Sequence, residues 1–111
     1  MTWTPLSLTE LREIIARDLA ACSNEERAYF ETVAFEPTRW LQSPYGDDSG
    51  GFWANAADQD RVLWYNDIEE GFNVSRFTTW GTIPSDEYWC NEDPMAWALA
   101  RLRTELNPLG G

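Results

Sequence analysis

The stretch RVLWYNDIEEGFNVSR, residues 61–76, decides the fold. Its opening RVLWY is β-branched, aliphatic and aromatic, which predicts a strand over 61–65. NDIEEG, 66–71, is a polar connection ending in glycine, and FNVSRFTTW, 72–80, predicts a returning strand. Strand, short turn and strand together make an antiparallel hairpin. In the second strand Phe72, Val74, Arg76 and Thr78 alternate with Asn73, Ser75, Phe77 and Thr79. Neither set is cleanly apolar, so the sheet is expected to be covered unevenly on both sides. Trp64 and Tyr65 are adjacent and must point to opposite faces, as must Phe52 and Trp53. Within the turn, Ile68 is expected to tuck inward and pin the loop. Gly71 is expected to supply the freedom to re-enter a strand.

Working outward, FWANAA (52–57) reads as another strand, joined to RVLWY by the turn DQD. SPYGDDSGG (43–51) is an irregular connection. Residues 32–35 are β-prone, but Pro37 restricts any strand there. Upstream, Ser7 and Glu10 have capping-box spacing, and Leu8, Leu11, Ile15, Leu19 and Cys22 recur at helical steps. Ser23 and Glu26 repeat the capping box and predict a short second helix over about 24–30. At the other end Asp93 is a candidate N-cap with Pro94 at the first helical position. Met95, Leu99, Leu102 and Leu106 form a stripe behind it, and Arg101 and Arg103 suit the helix C-terminus. The expected fold is α+β in one domain, residues 1–111. It has an N-terminal helix, a short second helix, an antiparallel sheet of three or four strands and a C-terminal helix, with the helices on one sheet face.

Composition excludes much chemistry. Nineteen acidic residues face eight basic ones, for a formal net charge of −11, and every basic residue is Arg. Such a surface repels nucleic acid and anionic membranes and favours a basic partner. With no His there is no Ser-His-Asp or Cys-His relay, and with no Lys there is no Schiff base or phosphate-loop lysine. Cys22 and Cys90 have no metal-type spacing and read as reduced packing residues. MTWTPLSLTELREII shows no basic region followed by an apolar run, so no secretory signal is expected. No segment is apolar enough to span a membrane. A soluble, cytoplasmic protein without cofactor or metal is the expectation.

Four acidic groupings lie in connections: Asp47-Asp48, Asp58/Asp60, Asp67/Glu69/Glu70, and Asp86/Glu87 with Glu92/Asp93. A catalytic pair would need two carboxylates facing each other about 5–9 Å apart in unlike environments. Asp58, Asp60 and Glu69 match the first, third and last positions of an EF-hand loop, but Leu63 stands where that loop needs glycine. Seven Trp residues offer faces for sugar rings or guanidinium groups. Arg76, mid-strand, is expected to neutralise Glu69 or Glu70 across the turn, with a carboxylate or phosphate clamp as the other reading.

The runs FWANAA, VLWYNDIEEGFNVSRF, GTI (81–83) and YWCNED (88–93) resemble a family of small, uncharacterised bacterial proteins over the C-terminal two-thirds of the chain. That resemblance carries no catalytic motif and implies a fold unit more than an activity. In size and acidity the chain is also similar, without any shared motif, to immunity proteins that neutralise bacterial toxins.

The expected function is therefore a non-catalytic acidic module that binds a basic protein such as a toxin domain. Asp67, Glu69, Glu70, Trp64 and Phe72 are the candidate contact residues, with Asp47 and Asp48 as a second acidic lobe. The alternative is a small carbohydrate-binding protein or a carboxylate-dependent glycoside-acting enzyme.

Overall fold

Two serines start the first two helices. In the computed structural model, which describes residues 4–104, α1 spans Leu8–Ala20 and α2 spans Asn24–Val33. The Ser7 hydroxyl accepts the Glu10 N–H at 3.1 Å while the Glu10 carboxylate accepts the Ser7 N–H at 2.9 Å. Ser23 and Glu26 repeat this exchange at 3.1 and 2.7 Å. Each box satisfies donors that a helix start leaves without intrahelical partners.

At its end α2 passes straight into β1, Ala34–Trp40, because Ala34 is already extended. β2 (Phe52–Asp58), β3 (Arg61–Asn66) and β4 (Gly71–Arg76) follow, and α3 covers Met95–Thr104. The fold is α+β, with a four-stranded antiparallel sheet in the order β1-β2-β3-β4. Pro37 does not stop β1. It falls on the edge strand, inside a register break between Ala34 and Thr38, where no ladder donor is required of it.

β4 ends earlier than the alternation over 72–80 predicts. Its last partner is Arg61, the first residue of β3, so the ladder has nothing further to pair with. Phe77 turns away, donating its N–H to the Asp60 carbonyl at 2.8 Å. The C-terminal helix begins one residue later than its capping pattern predicts, since the Pro94 carbonyl accepts the Ala98 N–H. Its first N–H, on Met95, is received by the Asp18 carboxylate of α1 at 3.1 Å, a cap supplied by another helix. Met95, Ala98, Leu99 and Leu102 are buried as the stripe predicts; Leu106 lies outside the described residues. At the other end of α3, fully buried Arg61 gives the Leu102 carbonyl two hydrogen bonds, at 2.9 and 2.7 Å.

Both sheet faces are covered, each by different material. On the helix side Leu63, Tyr65 and Phe72 pack with Leu11, Phe30, Met95 and Leu99. On the other side Val62, Trp64 and Phe52 pack with Trp40 and Ile83. The adjacent pair Trp64 and Tyr65 does split between the faces, and both are buried. Among the described residues no α-helix packs on the second face. A strap over 81–93 crosses it, joined to the end of β1 through Leu41 and Thr82 and to β4 through Phe72 and Asp93. The Phe72 N–H donates to the Asp93 carbonyl at 2.9 Å. Among the described residues no helix is long and apolar enough to cross a membrane.

Cys22 belongs to the helix-side core, as expected. Cys90 does not: it sits exposed on the strap, and both thiols are free.

Candidate functional site

Asn66, the last residue of β3, builds the turn that follows it. It is fully buried, and its amide oxygen accepts the N–H groups of Ile68 and Glu69 at 3.0 and 3.2 Å. Its amide nitrogen donates to the Tyr88 hydroxyl and the Trp89 carbonyl, both at 3.0 Å. An Asn side chain capping its own turn is ordinary turn chemistry. Here the same side chain also ties the turn to the strap. The Glu70 N–H closes the loop on the Asn66 carbonyl at 2.7 Å.

Two expectations about this turn are corrected. Ile68 is 40% exposed and does not pin the loop; Asn66 does, because its buried amide oxygen holds the turn's own N–H groups. Gly71 does not supply the turn's freedom either. Glu70 takes the left-handed conformation, at φ 62°. Gly71 is needed for close approach: a Cβ there would lie 2.3 Å from the Glu92 Cα. The strap lies directly on β4.

The aromatic contact residues are also corrected. Trp64 is 0% and Phe72 1% exposed, so neither can touch a partner. The strap covers the Trp64 face, where the indole N–H donates to the Ser75 hydroxyl at 2.8 Å. Phe72 faces the helices and meets the Tyr65 ring edge-on at 4.9 Å. On the strap Trp89 is 42% exposed; its carbonyl is bonded to Asn66, and the residue lines the cleft with Arg76 and Arg101 rather than the acidic turn. Its position follows from the strap's path, and the YWCNED run carries no local signal for it. Trp80 and Trp97 are exposed elsewhere.

The acidic residues divide by role. Glu70 is exposed and Glu69 half-buried. Asp67 turns back on the chain, and its carboxylate accepts the Leu6 N–H at 2.7 Å. Burial raises its pKa, partly offset by that hydrogen bond. Asp67 shares a cleft of about 470 Å³ with Glu10, Glu70, Arg17 and Tyr65. The Glu10 carboxyl is lowered by its hydrogen bonds with Ser7, the reverse of Asp67. Burial raises the Tyr65 hydroxyl in the same cleft.

Asp47 and Asp48 are exposed in the turn-rich connection between β1 and β2. A second buried amide organises that loop. The Gln42 side chain accepts the N–H groups of Tyr45 and Gly46 at 3.0 and 3.1 Å and donates to the Ser43 carbonyl at 3.0 Å. Asp47 accepts the Ser43 hydroxyl at 2.6 Å. Tyr88 joins the two acidic loops. Its ring stacks on exposed Tyr45 at 4.3 Å, and its hydroxyl meets Asn66. Burial raises the Tyr88 pKa.

Arg76 does not neutralise the turn. It lies at the far end of β4, where the Glu87 carboxylate accepts its backbone N–H at 2.8 Å. It lines a cleft of about 330 Å³ with Arg61, Arg101 and Trp89. Arg101 there is paired with Asp93 at 2.8 Å.

No protein-family model matches the chain, and neither a curated protein nor a solved structure matches it.

Proposed function

We propose that the chain is a non-catalytic, acidic protein-binding module for a basic partner, of the kind an immunity or inhibitor protein makes with a toxin domain, acting in the cytoplasm. The observation that supports this most is the 67–70 turn, which Asn66 holds from both its own backbone and the strap. A turn held this way carries Glu69 and Glu70 in one arrangement before any partner arrives, which reduces the ordering cost of association. The acidic field speeds encounter with a cationic surface, and a desolvated apolar side chain supplies the binding energy. Ile68, 40% exposed within the turn itself, takes the anchoring role in place of Trp64 and Phe72. Asp47 and Asp48 form the second lobe, linked through Tyr45 and Tyr88.

The test is affinity capture on immobilised wild-type chain, run beside Glu69→Lys/Glu70→Lys and Ile68→Ala chains. The expected result is a basic protein retained by the wild type, released by salt and lost from both variants. A basic protein retained equally by all three chains contradicts this reading.

A glycoside-acting reading draws on one observation: Asp67 and Glu10 share a cleft and their carboxyl pKa values are pushed in opposite directions. Both carboxylates accept backbone N–H groups of the segment before α1, however, which gives them a structural task. Tryptophan fluorescence during titration with a panel of oligosaccharides separates the readings; a saturable change would favour the glycoside one.

A further inference from the structure

At the other edge of the sheet from the acidic turn, an apolar pocket of about 260 Å³ opens between α1 and β1. Ile15, Ala16 and Leu19 wall it from α1, Phe30 from α2, and Phe35 and Pro37 from β1. Asn55 of β2 lines it as well. The sheet creates this place by breaking register on both sides of Asn55. β3 pairs with Ala54 and Ala56 and skips it, and β1 slips between Ala34 and Thr38 opposite it. Asn55 is 1% exposed, and neither its amide oxygen nor its amide nitrogen has a hydrogen-bond partner among the described residues.

A buried carboxamide without partners bears its full desolvation cost and returns nothing to the fold. The other buried amides, Asn66, Asn73 and Gln42, are hydrogen-bonded at both ends. Asn55 stands apart from them, and it does so where apolar walls enclose a space.

We propose that this pocket binds a small uncharged molecule with an apolar body and an amide-type head. The body lies against Ile15, Leu19 and Phe30, and the head, an N–H donor beside a carbonyl acceptor, pairs with Asn55. A carboxamide presents one carbonyl and an adjacent N–H, so its best complement is the same pair reversed. Charge on the ligand is disfavoured, because the walls are apolar and Arg12 at the pocket is already paired with Glu36 at 2.6 Å. A water molecule would satisfy the amide but leave the apolar walls without contacts. This site is independent of the acidic turn, and either reading stands without the other.

The test uses δ-valerolactam as the probe and cyclohexanone, which has the acceptor but no donor, as its comparison. Titration is followed by the side-chain N–H₂ signals of Asn55 and the backbone signals of Ala16 and Phe35 in nitrogen–proton NMR spectra. The lactam is expected to shift all of them and to bind about tenfold more tightly than the ketone, a ratio matching one added hydrogen bond. Asn55→Leu is expected to weaken lactam binding by a similar factor while raising the Tm. Ala16→Trp, at an exposed position, fills the pocket without touching Asn55 and is expected to abolish binding. Unmoved Asn55 signals overturn the proposal, as does equal affinity of wild type and Asn55→Leu, or lactam binding that survives Ala16→Trp. A lactam-soaked crystal with only water on Asn55 overturns it too.

Discussion

The two acidic loops are built on one plan and differ in one respect. Each follows a strand, each is organised by a buried amide side chain, and each ends at a glycine against which another backbone is packed. In the 43–51 connection the hydrogen bonds of Gln42 stay within the loop. In the 67–70 turn two of the four made by Asn66 leave it, reaching Tyr88 and Trp89 of the strap. The first loop is organised locally. The second is fixed to a distant part of the chain, and exposed Ile68 is held in it. A recognition edge needs that second arrangement, since fixed charges and a desolvated anchor must face the same partner.

The glycines are the sharpest way to break either loop. A Cβ on Gly51, which sits at φ 112°, would lie 2.0 Å from the Trp40 carbonyl oxygen; one on Gly71 would meet the Glu92 Cα at 2.3 Å. Gly51→Ala and Gly71→Ala are each expected to cost about 3 kcal/mol or more, measured by urea denaturation. If the loops are joined to the fold as described, Gly71→Ala also lifts the strap, and Trp64 fluorescence shifts toward that of a solvated indole.

Next in size are the amides. Asn66→Ala removes four hydrogen bonds from a fully buried site and is expected to cost about 3 kcal/mol. Gln42→Ala removes three that close only its own loop, with an expected cost of about 1–2 kcal/mol. Equal losses for the two variants would erase the distinction drawn between the loops.

Much of this was legible in the sequence, and the reason is locality. Ser7 with Glu10 and Ser23 with Glu26 place two helix starts by spacing alone. RVLWY and the turn after it place the central hairpin. What sequence left hidden depends on the strap, a segment without periodicity whose path is set by tertiary contacts. Its passage buries Trp64 and puts Trp89 outside, and no pattern within YWCNED distinguishes the two indoles. Asn66 and Gln42 were hidden differently. A polar residue at a turn looks the same whether it is solvated or buried and bonded. The break in β1 around Pro37 likewise falls opposite Asn55, a neighbour distant in sequence.

Two smaller effects sharpen the comparison. Ile68→Ala is expected to change stability by about 0.5 kcal/mol or less, as an exposed side chain should, while removing partner binding. A large stability loss would place Ile68 with the core instead. Asp67 gives a pH signature. Burial raises its carboxyl above the ordinary 3.8, so the folded chain holds that proton more tightly than the unfolded chain does. Asp67's contribution to stability is therefore present below 3.8 and is lost as pH rises through the raised value. Asp67→Asn keeps an acceptor for the Leu6 N–H and is expected to flatten that fall. An unchanged pH–stability slope in Asp67→Asn would contradict the burial of this carboxylate.

The central claim, that the 67–70 turn is held ready by Asn66, is tested most directly by amide hydrogen exchange. The Ile68 and Glu69 N–H groups are predicted to exchange slowly in the wild type and to lose that protection in Asn66→Ala. Exchange of Ile68 and Glu69 at free-peptide rates in the wild type would contradict the account.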